Sequence, residues 1–197
     1  MDDSSITPSP QQLRALTHPA RLRMLGILRT EGSTTATALA QRLGLNTGAT
    51  SYHLRQLAQH GFIVDDEERG NGRERWWRAA HASTRTDFEE LTEPEDQEAL
   101  DAYLQSVVVV YTQMLQQMIE ERATLPDEWR NASTLSDWRF HLTPAQALRL
   151  IDTVTDLIEE FEDEPPAGDG SSPPDHVPYT VMFSAFPRPG GQAGGTS

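Results

Sequence analysis

The chain has 197 residues, 37% of them hydrophobic, a formal net charge of −14 and no cysteine. That length suits one medium domain or two small ones, and the lack of cysteine excludes disulfides, thiolate metal sites and thiol redox switches. The start "MDDSSITPSP" is acidic and polar, unlike a secretory signal, and the most apolar run, "VVVVY" at 107–111, is far too short to span a bilayer. A soluble, cytoplasmic protein is expected.

Residues 1–10 read as a flexible arm. Leu13, Leu16, Leu22, Leu25 and Leu28 then predict a helical face interrupted at Thr17-His18-Pro19, with Pro19 in the first turn of the second helix and Gly32 past its end. Thr35 suits the cap of a third helix, with Leu39, Ala40 and Leu43 inward and Gly44 closing it. Asn46 can cap a fourth helix, which Gly61 stops. "FIVDDEE" and "RERWWRAA" flank Gly70-Asn71-Gly72, a β-hairpin signal, and alternation sends at least one of Trp76 and Trp77 into the core.

Residues 83–126 read as a linker and one long helix. Its stripe of Leu100, Leu104, Val107, Val108, Tyr111, Leu115 and Met118 is longer than a small N-terminal domain can cover, so the helix is expected to build a homodimer. Residues 127–187 predict a small α+β region. "SDWRFHL" and "YTVMFSAF" read as strands, and "TPAQ" at 143–146 is a capping box opening a helix to about residue 162. Leu148, Ile151, Val154, Leu157, Ile158 and Phe161 would face inward. Composition marks an insert around 164–177 and the tail 188–197 as disordered. The fold class is mainly α with small β elements.

Charge divides the chain by task. Residues 11–82 carry ten arginines against six carboxylates, whereas 83–197 carry six against 22. Within the basic part, a short helix, a tight turn at Gly44-Leu45, a second helix and a hairpin make a winged helix-turn-helix. In the second helix Thr50, Leu54, Leu57 and Ala58 share one face, with Gly48, Tyr52, Arg55, Gln56 and Gln59 opposite and Ser51 at the edge. Its small first residues would let it enter the major groove of double-stranded DNA, about 12 Å wide, end first. The candidate DNA-binding residues are therefore Thr47, Gly48, Ser51, Tyr52, Arg55 and Gln56, with Arg69, Arg73 and Arg75 of the wing on the backbone or in the minor groove.

"LTHPARLRMLGIL", "ALAQRLGL" and above all "TSYHLRQLAQHGFI" resemble the arsenical-resistance-repressor (ArsR-like) family of winged-helix transcription regulators, over residues 11–82. The resemblance implies a homodimeric repressor on an inverted-repeat operator, with Ser51, Tyr52 and Arg55 in the DNA-contacting positions. It also shows a departure. Many members sense metals through cysteines in the helix before the turn, and this chain has none.

Other readings carry less. His53 is placed as a packing residue rather than a base contact, and the six histidines show no pair at helical ligand spacing, so no metal or cofactor is expected. No Gly-rich phosphate loop, nucleophile elbow or HExxH pattern argues for an enzyme. A winged-helix protein–protein adaptor is the alternative, or a regulator whose C-terminal region senses a small-molecule effector.

Overall fold

The computed structural model describes residues 5–69, 74–86, 93–161, 177–188 and 190. The chain divides into two units, Met1–Thr124 and Leu125–Ser197.

In the first unit, helix starts follow from side chains that receive the free N–H groups of a first turn. Strand β1 (Ser5–Ile6) leads to α1 (Pro10–Leu16), where Ser9 and Gln12 form a capping box around Pro10. His18 caps α2 (Pro19–Thr30), its Nδ1 accepting from the Ala20 N–H at 3.1 Å. Thr35 ends β2 (Thr34–Thr35) and caps α3 (Ala36–Leu43); Asn46 caps α4 (Thr47–Gln59). Gly44 sits between them at φ 64, a conformation that favours glycine, so that the Leu45 N–H turns back to the Ala40 carbonyl at 2.9 Å.

Next come β3 (Ile63–Asp65), β4 (Trp76–Ala79), β5 (Ser83–Thr84) and the 28-residue α5 (Pro94–Glu121), which tightens into a 3₁₀ turn at Arg122–Thr124. The main sheet is antiparallel with order β2–β4–β3 and pairs Val64 with Arg78; β1 and β5 pair in parallel. The arm expected at 1–10 is thus tied down from Ser5, and the linker at 83–93 contributes a strand. Two-residue strands leave no periodicity to read. The expected turn at Gly70-Asn71-Gly72 lies outside the described residues.

One core joins these elements. Leu13, Leu16, Met24, Leu25, Leu28, Leu39, Leu54, Leu57, Phe62 and Ile63 are almost wholly buried, and Trp77 joins them from β4. Each such side chain contributes about 1.5–3 kcal/mol of burial energy. The first half of α5 closes the core with Ala99, Leu100 and Tyr103, and the Ser106 hydroxyl donates to the Thr17 carbonyl at 2.6 Å. Arg29 ties the chain after β4 to α2, donating to the carbonyls of His81 (2.9 Å) and Ser83 (3.1 Å) and to Thr84 Oγ1 (2.9 Å). Burial lowers its pKa to about 10, against the opposing influence of Tyr103 and Tyr111.

The apolar stripe of α5 divides along its length. Leu100 is spent on its own core, and Leu104 and Val107 are partly packed against it. Val108, Tyr111 and, at the end of the same helical pattern, Ile119 are exposed, as are Val109 and Met114, while Leu115 and Met118 are half-buried.

The second unit holds α6 (Asp127–Asn131) and α7 (Pro144–Glu159), the latter opened by the expected Thr143–Gln146 capping box. The two strands expected here do not form. Residues 136–142 and 177–188 run without ladder partners, leaving Trp138, Phe140, Tyr179 and Val181 exposed. Alternation supplies a strand's face but no neighbour for its N–H and C=O groups. Nor does the inward face of α7 become buried: Leu148, Leu157, Ile158 and Phe161 are exposed, and Ile151 and Val154 only half-covered. Among the described residues, none after Val110 is buried. Most of the insert and tail expected to be disordered lies outside the described residues.

Candidate nucleic-acid interface

Packing chooses which side of α4 faces out. Thr50, Leu54 and Leu57 are fully buried and Ala58 half-buried, which turns the opposite face to solvent. Thr50 is tolerated inside because its hydroxyl donates to the Asn46 carbonyl at 3.1 Å. At the exposed N-terminus, Asn46 Oδ1 accepts from the Ala49 N–H at 2.8 Å. A Cβ on Gly48 would stand 3.3 Å from that same oxygen, so the cap itself favours a small residue there.

Thr47, Gly48, Tyr52 and Arg55 are exposed as the sequence predicts, and Ser51 is half-buried. Gln56 is half-buried and donates from Nε2 to Gln59 Oε1 at 3.3 Å. Thr47, Ser51 and Arg55 line a shallow groove with Thr35, Ala36 and Thr37 at the start of α3 and with Glu74, Arg75 and Trp77 from the wing side. The groove brings the helix-turn-helix and the base of the wing onto one surface.

The wing arginines differ from one another. Arg69 is exposed, and Arg73 lies outside the described residues. Arg75 is engaged by its own fold: its Nε donates to Asp65 Oδ2 at 2.5 Å, and its guanidinium carbon lies 4.2 Å from the centre of the Trp77 ring. Trp77 is the buried member of the tryptophan pair. Asp66 is also occupied, accepting from the Ser33 hydroxyl. Sequence spacing does not show these partners, which join positions about ten or thirty residues apart; the β3–β4 register brings the first pair together.

Among the described residues no group of three or more His, Asp or Glu side chains could hold a metal ion, and no helix is long and apolar enough to cross a membrane.

Residues 16–65 match a protein-family model described as a helix-turn-helix domain. Among solved structures, the chain is similar to one described as "Crystal structure of Possible transcriptional regulator for arsenical resistance", at 25% identity, over 54% of this chain and 95% of that one, with a TM-score of 0.32. No curated protein matches the chain. Helices α3 and α4 and the turn at Gly44 between them lie inside the matched segment, which is similar to a helix-turn-helix domain, and β4 follows it in the chain.

Proposed function

We propose that this chain is a sequence-specific DNA-binding transcription regulator that acts as a homodimer. The observation that carries the reading is the surface shared by α4 and the wing. Tyr52 and Arg55 are exposed on the helix, and the small residues at its N-terminus border the groove that runs to Arg75. A helix presented this way reads base edges from its first turns while neighbouring arginines neutralise phosphates. Basic character confined to residues 11–82 supports the same placement, since the rest of the chain is acidic.

The exposed second half of α5 supports the dimer. Val108, Val109, Tyr111, Met114 and Ile119 leave an apolar surface that a symmetry-related α5 would cover. Two copies of α4 would then address an inverted repeat with half-sites about 34–36 Å apart. The motif resemblance favours repression, by occupation of the operator.

Selection of bound duplexes from a random pool by the purified chain tests the reading. An enriched inverted repeat is the expected result. Recovery of no sequence above background, with binding equally weak on all duplexes, would overturn it.

A further inference from the structure

On the flank of α4, away from the wing, three side chains from two helices come together. The rings of His18 and His53 lie 4.4 Å apart between centroids, tilted by 45°, and His53 meets Tyr52 edge-on at 5.6 Å. Arg21, one turn into α2, acts electrostatically on both His53 and Tyr52. Two nitrogens here, Arg21 Nε and His53 Nδ1, are buried without a hydrogen-bond partner. Among the described residues no ion pair joins a carboxylate to any of the three. The Arg21 guanidinium thus sits beside two imidazoles and an exposed Tyr52 with no carboxylate paired to it among the described residues.

We infer that His18, Arg21 and His53 clamp one backbone phosphate of the bound DNA and that the clamp takes up a proton as it closes. The inference rests on the DNA reading above. His18 already spends Nδ1 as an acceptor for the Ala20 N–H, which leaves Nε2–H as a donor in the neutral ring. Arg21 supplies a permanent charge. His53 is the member with a proton to gain, and in the free protein burial, His18 and Arg21 together hold its pKa below the usual histidine value. The charged and titratable groups acting on it are His18 and Arg21 from α2, with Tyr52 beside it on α4. A phosphate placed among them reverses the balance, because an anion beside the ring favours its protonated form and offsets the burial and the Arg21 charge that oppose it.

Affinity of the full chain for its selected operator, measured by fluorescence anisotropy from pH 8 to 5.5 at constant ionic strength, tests the clamp. For uptake of one proton, Kd should fall about three- to tenfold from pH 7.5 to 5.5. His53→Gln and His18→Asn should each flatten that response; asparagine keeps the cap on α2, so the second variant reads the clamp even if the first is poorly folded by circular dichroism. Arg21→Gln should lower the slope of log Kd against log salt by about one at pH 7.5. A full pH response in folded His18→Asn, or an unchanged salt slope in Arg21→Gln, overturns the clamp. A wild-type chain that binds DNA with no pH response overturns the clamp alone, whereas one that binds no duplex at any pH overturns the DNA reading itself.

Discussion

Arg55 and Arg75 are both exposed on the proposed DNA face, yet their surroundings assign them different tasks. Arg55 lines the groove with no intramolecular ion pair among the described residues, so its guanidinium is free to read a base or grip a phosphate. Arg55→Ala should therefore cost about 1–3 kcal/mol on the selected operator and less on random duplex, by competition anisotropy. Arg75 must give up Asp65 before it can serve DNA fully, and exposed pairs of this kind are worth at most about 1 kcal/mol. Arg75→Ala should weaken all duplexes alike, about two- to fivefold, through a lost phosphate contact. A specific loss confined to the operator would instead make Arg75 a base reader. His53 permits a prediction about the free protein. Its folded pKa lies below the ordinary value of 6.5, so the fold prefers the neutral ring. The stability that this preference carries is fully present above pH 6.5 and is lost as pH falls through the folded value. The melting temperature should decline on acidification below that point, and His53→Gln should decline less. An equal decline in both would assign the acid sensitivity to other groups.

At the scale of elements, the sequence was legible where a local rule decides the outcome. The caps at Thr35, Asn46 and Thr143, the glycine at Gly44 and the inward face of α4 all follow from chemistry within four residues of one another. Ser9–Gln12 obeys the same rule, at the junction where polar composition suggests an arm. What stayed illegible depends on distant partners: the β1–β5 pair, the Arg29 anchor, and the coil at 136–142 and 177–188 where strands were expected. The stripe of α5 lies between these cases. Its periodicity was readable, but not that Leu100 is covered by its own α1 and α2 while Val108 and Ile119 remain 63% and 60% exposed. That division separates fold from assembly. Leu100→Ala should cost about 2–5 kcal/mol of stability as a core truncation. Val108→Glu with Ile119→Glu should leave the melting transition in place and convert dimer to monomer in sedimentation, with loss of operator binding. A double variant that stays dimeric would place the interface elsewhere.

At the scale of the molecule, the chain turns acidic after residue 82, and burial ends further on, at Val110. Every buried residue among those described lies at or before Val110, so the unit Met1–Thr124 holds the core within itself. The unit Leu125–Ser197 has four arginines against twelve carboxylates and leaves Trp138, Phe140, Phe161, Tyr179, Phe183 and Phe186 exposed. A segment that buries so little apolar surface cannot offset the entropy of ordering its backbone, roughly 1–2 kcal/mol per residue. Its fold should therefore depend on contacts beyond itself, and its charge should act on DNA as a repulsive field. Removing it tests both ideas at once. The chain ending at Thr124 should keep a cooperative melting transition close to that of the whole protein, whereas isolated 125–197 should show none. On DNA, the shortened chain should bind more tightly than the full one at low salt. The advantage should shrink as salt rises, because the screening length falls from about 30 Å at 0.01 M to about 8 Å at 0.15 M. Tighter binding by the full chain at every salt concentration would mean that the acidic unit assists recognition, through the dimer or through the operator, and that electrostatic repulsion is the lesser effect.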